Sequence, residues 1–594
     1  MADNIWKDLT YTDVLQSDGF VTDYAVATTY SLDLKTLLSI PFMIGTMSEL
    51  SETAMRSPHL ILEAIDKARG KFAVFCNAGN IFVPGKANRL YLLLEQNVVQ
   101  VALRQWRNGF VNFHPKVWVI KESNPDTGAK RIKVVVMSRN LTGSDDLDVV
   151  CSVTGDVGLK RASADSQKHH KPLVDFLRWL SERNCGAVIR RNIEAMCEDI
   201  TKIESFDIGD DAFDDYDFFP MGIDGYDGEN TCLRQCMLNG AAEMVIISPF
   251  IDEQTMRRFV GQSPKARKTL ITRHSSLTND IINMFKGEAY TVKEVLTDKA
   301  EKDVAVDLHE KVYFIRSFFN GETYNDLYIG STNATQNGFA RNVEFLLRLT
   351  FTKRRASYDS FRQELINDSK DCMFEQVASV AETERNGTDN EDELYLCKAI
   401  DAIARASVSA GQDGCYSLSV HCKKRLPEYQ IEINPLYCDM LSRELTDGVT
   451  FEGLRIEQLT EFYVIKSGGL RRVVKITTSG FPERERNDAI FRSIVNSPEK
   501  FIGYVAFMLT DTPEQYMLES QAAANGLGKG DNAENGRPVS ISLFEDMVRK
   551  SYIDPDCIAG IENVVRRAGE DAKPEHFDEM YSQFMKAIKQ IKKL

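Results

Sequence analysis

Two short strings, Phe113-His114-Pro115-Lys116 and Leu308-His309-Glu310-Lys311, each set a histidine two positions before a lysine at the start of an apolar, β-branched run. Side chains alternate along extended chain, so the imidazole and the ammonium of each pair share a face. One strand further on, each string is followed by Ser-x-Asn: Ser138 with Asn140, and Ser331 with Asn333. These add two hydrogen-bonding groups on one face. Cleaving a phosphodiester requires a nucleophile, a proton donor for the leaving oxygen and compensation of phosphoryl charge. Two imidazoles, two lysines and two asparagines around one phosphate would meet all three needs. The imidazoles must then differ, one neutral to attack and one cationic to donate, with apparent pKa values that belong to the pair. Carboxylates that orient the rings are expected at Glu344, eleven residues after Asn333, and at Asp148, eight after Asn140, with Asp146 as the rival of Asp148.

The elements that must position these groups repeat. FHPKVWVI (113–120) with KVVVMSRNLT (133–142) overlays LHEKVYFI (308–315) with DLYIGSTNAT (326–335). Upstream, VATTYSLDLKTLL (26–38) parallels VIISPFIDEQTMRRF (245–259), KFAVFCNAG (71–79) parallels KTLITRHSS (268–276), and VVQVAL (98–103) parallels YTVKEVL (290–296). Matched elements in the same order imply a duplication, and strands alternating with helices imply an α/β fold. The expected architecture is two mixed β-sheet halves flanked by helices, with the site at their interface, plus a C-terminal α/β region. The boundaries read as a first half over 1–164, a helical and acidic connection over 165–228, a second half over 229–380 and a C-terminal region over 394–594. The Asp-rich run 207–228 lacks the terminal Glu of a calcium loop and reads as a solvated linker. In the C-terminal region, strands are expected at 429–433 and 471–478, then helices. The glycine- and asparagine-rich loop 524–538 follows no clear strand, which argues against a phosphate-binding loop.

A chain of 594 residues exceeds what one core supports, so two to four domains are expected. A net charge of −15 argues against indiscriminate coating of nucleic acid, though not against a local basic cleft. The twelve cysteines fall into no paired CxxC pattern, and Cys232-x-x-x-Cys236 is weak evidence for zinc, so free thiols in a reducing cytoplasm are expected. Neither a signal peptide nor a membrane-spanning run is expected.

The twofold His-x-Lys and Ser-x-Asn pattern resembles the phospholipase D superfamily over roughly residues 20 to 355. The resemblance implies a covalent phosphohistidine resolved by water, without metal or cofactor. It implies His114 as nucleophile, His309 as general acid, Lys116, Lys311, Asn140 and Asn333 on the phosphate, and Ser138 and Ser331 in support as substrate-binding residues. It further implies that the acid of one half serves the histidine of the other, pairing Glu344 with His114 and Asp148 with His309. The chain departs from the lipase pattern: Lys121 and Arg316 stand where an Asp follows the lysine by five, and Met137 replaces the glycine kept at Gly330. Loss of that Asp resembles the tyrosyl-DNA phosphodiesterase branch and prokaryotic nuclease-like members. This implies a nuclease, with restriction or antiphage defence beside a helicase or ATPase partner as the setting. A phospholipase D-type lipid hydrolase or transferase and a non-catalytic phosphate-binding scaffold are the alternatives. A monomer suffices for the site, and an oligomer is not excluded.

Other residues carry weaker signals. Thr29-Tyr30-Ser31 and Ser248-Pro249-Phe250 end strands on the expected cleft side, making both segments candidate substrate-lining residues, with Ser248 and Phe250 as candidate substrate-binding residues. His274 reads as a core or rim residue, and His169-His170 as an exposed helix face. The basic groups at Lys265–Lys268, Lys353–Arg355 and Lys423–Arg425 read as separate solvated faces. The amphipathic helix at 576–594 reads as a docking element rather than a membrane anchor.

Overall fold

The computed structural model describes residues 15, 17–46, 58–84, 88–103, 111–143, 147–293, 307–319, 321–352, 356–367, 372–381, 391–426, 430–509, 539–553 and 555–591. The first half contributes β1 (Val21–Thr29), β2 (Leu32–Asp33), β3 (Phe72–Asn77), β4 (Ile81–Phe82), β5 (Val98–Val101), β6 (Val117–Ser123), β7 (Lys130–Met137) and β8 (Val150–Asp156). Six of these form one sheet in the order β5-β3-β1-β6-β7-β8, with β1, β3 and β5 parallel and the rest antiparallel.

The second half repeats that order. Its strands are β9 (Phe213–Met221), β10 (Ala241–Ile247), β11 (Arg267–Thr272), β12 (Glu288–Val292), β13 (Val312–Phe319), β14 (Glu322–Gly330), β15 (Glu344–Phe351) and β16 (Phe374–Gln376). They run β16-β12-β11-β10-β13-β14-β15-β9, so the six inner strands match the first sheet and β16 and β9 extend its edges. The duplicated α/β fold expected from the sequence is therefore present. The register settles the equivalences: Ala27 faces Trp118 as Ile246 faces Tyr313, and both partners lie four residues after their histidine. Because β3 pairs at Thr28–Phe75 and β11 at Ile247–Ile271, Asn77 is the counterpart of Arg273, one column away from the sequence overlay.

Each sheet buries one face in a shared core. Val26, Phe75, Val119 and Val134 from the first meet Val245, Phe314, Ile329 and Leu347 from the second, with the helices Ala164–Ser181 and Ala187–Ile200 closing the side. The connection 207–228 departs from expectation. It is not a solvated linker, because Phe213–Met221 pairs along its length with β15 and buries Tyr216, Phe218 and Met221 while its aspartates face outward. Alternation of apolar and acidic residues there is the strand period, which the charge density obscured. His169 and His170 are likewise not an exposed pair: His170 is buried with Nε2 2.7 Å from the Tyr216 hydroxyl, and both rings stack on Tyr216.

The C-terminal region is joined to the first half rather than appended to it. Its strands Leu470–Lys475, Phe462–Ser467, Glu432–Pro435 and Arg443–Glu444 continue a sheet begun by β2 and β4. The expected strands at 429–433 and 471–478 are thus displaced by a few residues, and 427–429 lie outside the described residues. Its helices Glu483–Ile494, Pro498–Leu509, Val539–Ile553, Pro555–Arg567 and Phe577–Ile591 close over Leu37, Phe42, Ile61 and Leu62 of the first half in one core. Inside that contact Arg486 pairs with Glu95, which also accepts from the Thr460 hydroxyl. The loop 524–538 and Lys353–Arg355 lie outside the described residues. Among the described residues no helix is long and apolar enough to cross a membrane.

Candidate active site

The two His-x-Lys strings enter their strands at the junction of the halves, and each is tied to the acid-bearing segment of the other half. The His114 N–H donates to the Val343 carbonyl at 2.9 Å, and the His309 N–H donates to the Leu147 carbonyl at 3.1 Å. In return the Val343 N–H reaches Asn112 and the Leu147 N–H reaches Asp307, both at 3.0 Å. These reciprocal backbone bonds carry each carboxylate across to the opposite ring. His114 Nδ1 lies 2.9 Å from Glu344 Oε2, and His309 Nδ1 lies 2.9 Å from Asp148 Oδ1. The rival Asp146 lies outside the described residues.

The lysines lie beneath the rings. Lys116 Nζ stands 3.0 Å from His114 Nε2 and donates to the His114 carbonyl at 3.0 Å, while Lys311 donates to the His309 carbonyl. Both lysines are buried. Burial pushes Lys116 down to about 7 against the pull of Glu344 and Asp148. Burial, then the charge of Lys116, holds Lys311 well below its usual range. His309 is pushed down to about 4 by burial and then by Lys311, with Asp148 opposing. His114 is also lowered, by burial first, with Glu344 opposing. Burial and the two lysines thus disfavour positive charge on both imidazoles, and a phosphate anion between them would oppose that effect.

The two Ser-x-Asn motifs divide their work differently from the expectation. Ser138 Oγ donates to Asp148 at 2.7 Å and accepts the Val149 N–H at 2.9 Å. Ser331 Oγ donates to Glu344 and accepts the Phe345 N–H at 3.0 Å. Both serines are fully buried, and their hydroxyls are taken up by the carboxylates and the backbone. Ser248 is also fully buried: it donates to the Phe250 carbonyl at 2.8 Å and accepts the Ala334 N–H at 2.9 Å. Thr29 does the same in the first half, donating to Ser31 and accepting from Leu141. A small hydroxyl at this position ties the strand end to the residue after each asparagine. Asn140 and Asn333 remain at the rim. Asn140 Oδ1 lies 3.5 Å from the Ser31 N–H, and Asn333 Oδ1 is buried without a hydrogen-bond partner in the protein.

Several supporting residues carried no motif signal. Asn77 Oδ1 accepts the Phe113 N–H at 2.9 Å, while Arg273 Nε donates to the Leu308 carbonyl at 2.8 Å, so equivalent positions brace equivalent backbone with different chemistry. Asn342 accepts from the Asn112 N–H and donates to Glu344 Oε1 at 3.1 Å. The Tyr30 ring stands 5.2 Å from the His114 ring. Tyr30 was signalled as a strand end on the cleft side; for Asn77 and Arg273 the signal was the repeat itself, displaced by one column. A cavity of about 140 Å³ opens beside Tyr30 and Asn112 and is lined by Asn77, Asn80, Glu393 and Arg472, so the C-terminal region supplies one of its walls. His274 is exposed.

No family model matches the chain, and no curated protein matches it. Among solved structures it is similar to yeast tyrosyl-DNA phosphodiesterase, with 11% identity and a TM-score of 0.36 over 59% of this chain and 86% of that one. It is similar to a phosphatidylserine synthase from Haemophilus influenzae, with 12% identity and a TM-score of 0.32 over 60% and 83%. It is also similar to a polyphosphate kinase from Porphyromonas gingivalis, with 12% identity and a TM-score of 0.28 over 58% and 42%. Likenesses this distant leave the weight on the chain's own topology. The sheet order is duplicated, and the paired His-x-Lys and Ser-x-Asn motifs meet at one junction between the halves.

Proposed function

We propose that the chain is a phosphodiesterase acting on nucleic acid, with His114 as nucleophile and His309 as general acid and base. The observation that carries this reading is the reciprocal one: each imidazole has Nδ1 on a carboxylate from the opposite half, so the chemistry falls to the Nε2 atoms, that of His114 standing 3.0 Å from Lys116 Nζ. Which ring nitrogen carries the proton follows from these partners, since a carboxylate accepts and Nδ1 must donate.

His114 Nε2 attacks phosphorus, forming a P–N bond as the P–O bond to the leaving group breaks. His309, protonated when the phosphate anion supplies the missing negative charge, gives its proton to the leaving oxygen. Water then attacks the phosphohistidine, His309 takes a proton from it, and the P–N bond breaks. Lys116 and Lys311 offset the charge on the equatorial oxygens, with Asn140 and Asn333 as further donors at the rim. His114 suits the first role because its carboxylate is the more firmly held: Glu344 is fully buried and also bonded by Ser331 and Asn342.

Nucleic acid is preferred to lipid on the chain's departure from the lipase pattern at Lys121 and Arg316. The adjoining cavity mixes Tyr30, Asn77, Asn80, Asn112 and Arg472 with Glu393, Asp401, Val101, Leu103 and Ile400, and it favours neither substrate by itself. Cleavage of bis-p-nitrophenyl phosphate that disappears in His114→Ala supports the enzyme reading, and its absence from the wild type overturns it. Parallel assays on DNA, RNA and phosphatidylcholine vesicles test the substrate. Turnover of vesicles alone would make this a lipid enzyme. A restriction or antiphage setting, and a helicase or ATPase partner, belong to the same proposal and call for a test in cells.

A further inference from the structure

The two sides of the site are unlike at their rims. In the first half the residues at corresponding positions are Ser31 and Asn77; in the second they are Phe250 and Arg273. Phe250 is 46% exposed, yet the backbone around it is tightly held. Ser248 Oγ donates to its carbonyl, Ser276 Oγ donates to the Pro249 carbonyl at 2.7 Å, and Ile251 bridges to Ala334, next to Asn333. An apolar ring kept in water on a fixed backbone has a prepared face and little ordering entropy left to lose on binding. The Arg273 guanidinium lies 4.8 Å from the centroid of that ring. Its Nε is spent on the Leu308 carbonyl and on Asp307 at 3.2 Å, immediately before His309. The charge of Arg273 also reaches Lys311.

We infer that Phe250, backed by Arg273, is a seat for the nucleobase adjoining the scissile phosphate on the leaving-group side. The chemistry is aromatic stacking: every base has a π-face, and a cation behind the ring strengthens the contact without demanding a sequence. The side follows from the roles above. His309 protonates the leaving oxygen, and Phe250 and Arg273 are built onto the strand ends beside His309, so the fragment released as an alcohol is the one that stacks. The first half has Ser31 in place of Phe250, and its own ring, Tyr30, stands against His114 with 5.2 Å between centroids. This inference rests on the nucleic-acid reading and refines it.

The test uses the full-length protein, a single-stranded oligonucleotide and bis-p-nitrophenyl phosphate. Phe250→Ala should lower the ratio of kcat/KM for the oligonucleotide to that for the small diester by about tenfold, and Phe250→Trp should restore it. An abasic position next to the cut on the alcohol-product side should cost the wild type a similar factor and cost Phe250→Ala little more. The same lesion on the phosphate-product side should leave the effect of Phe250→Ala in place. If the wild type cuts the oligonucleotide but Phe250→Ala leaves the ratio intact, or the two losses simply multiply, the stacking seat is overturned and the nucleic-acid reading stands. If the wild type cuts the small diester and no oligonucleotide, both fall.

Discussion

The two halves share one strand order and one hydrogen-bond scheme, yet they hold their histidines in different company. His114 faces Glu344, a fully buried carboxylate with two further side-chain partners, and it has a proline between itself and its lysine. His309 faces Asp148, which has Ser138 as its other support, and is followed by Glu310. Glu310 is buried, and burial followed by the charge of Asp148 pushes it up to about 8, so it adds a largely neutral acid beside the second histidine. The lesson is that duplication delivers equal geometry, while the unequal chemistry an acid and a nucleophile need comes from residues outside the motif.

The most severe way to break the comparison is to remove each ring in turn. His114→Ala should lower kcat on bis-p-nitrophenyl phosphate by about 10⁴-fold or more, because no covalent intermediate forms. His309→Ala should cost only about 10²-fold or less in the first-turnover release of p-nitrophenolate, which departs without a proton, while steady turnover also loses the base that activates water. Equal losses in that first turnover would show that the halves do not divide the work as stated.

A second contrast concerns packing. The first half shares its outer core with the C-terminal helices, whereas among the described residues the outer core of the second half draws on residues between 219 and 380. Arg486→Ala would leave Glu95 buried without its cation and should lower stability by about 3–5 kcal/mol in a denaturant titration. A change under about 1 kcal/mol would mean that the C-terminal region is not anchored through this pair.

Gly330 and Met137 test the same idea at one equivalent position. A Cβ on Gly330 would stand 2.2 Å from the Phe345 carbonyl oxygen, a backbone atom that can yield only by shifting β15. Gly330→Ala should therefore destabilise the protein by about 1–3 kcal/mol, measured by thermal unfolding, and slow turnover through Ser331 and Glu344. An unchanged melting temperature would show that the second half tolerates a side chain as the first does.

The smallest effect is a displacement in pH. Lys116 must be cationic to bind the phosphoryl oxygens, and with burial holding it to about 7, kcat/KM should fall as pH rises through that value. Lys116→Arg keeps its charge and should carry the alkaline limb upward by about a unit or more, at reduced maximal rate because the guanidinium is larger. A limb that stays in place would assign it to another group.

Much of this was legible in the residue string. His-x-Lys and Ser-x-Asn recur at matched offsets, and strand periodicity depends only on neighbours along the chain, so the repeat and the α/β class can be read from it. The pairing of Glu344 with His114 and of Asp148 with His309 came from resemblance. Its physical cause, the reciprocal bonds His114–Val343 and His309–Leu147, exists only once the halves meet. Local pattern misled where charge hid alternation, as in the strand Phe213–Met221, and it carried no sign that the hydroxyls of Ser138, Ser331 and Ser248 bond to carboxylates and backbone. Burial decided those cases, and burial is a property of what packs on top. The C-terminal region makes the same point: its strands could be expected from composition, but their joining of β2 and β4, and the enclosure of Glu95 with Arg486, depend on contacts nearly four hundred residues apart, which no local pattern encodes.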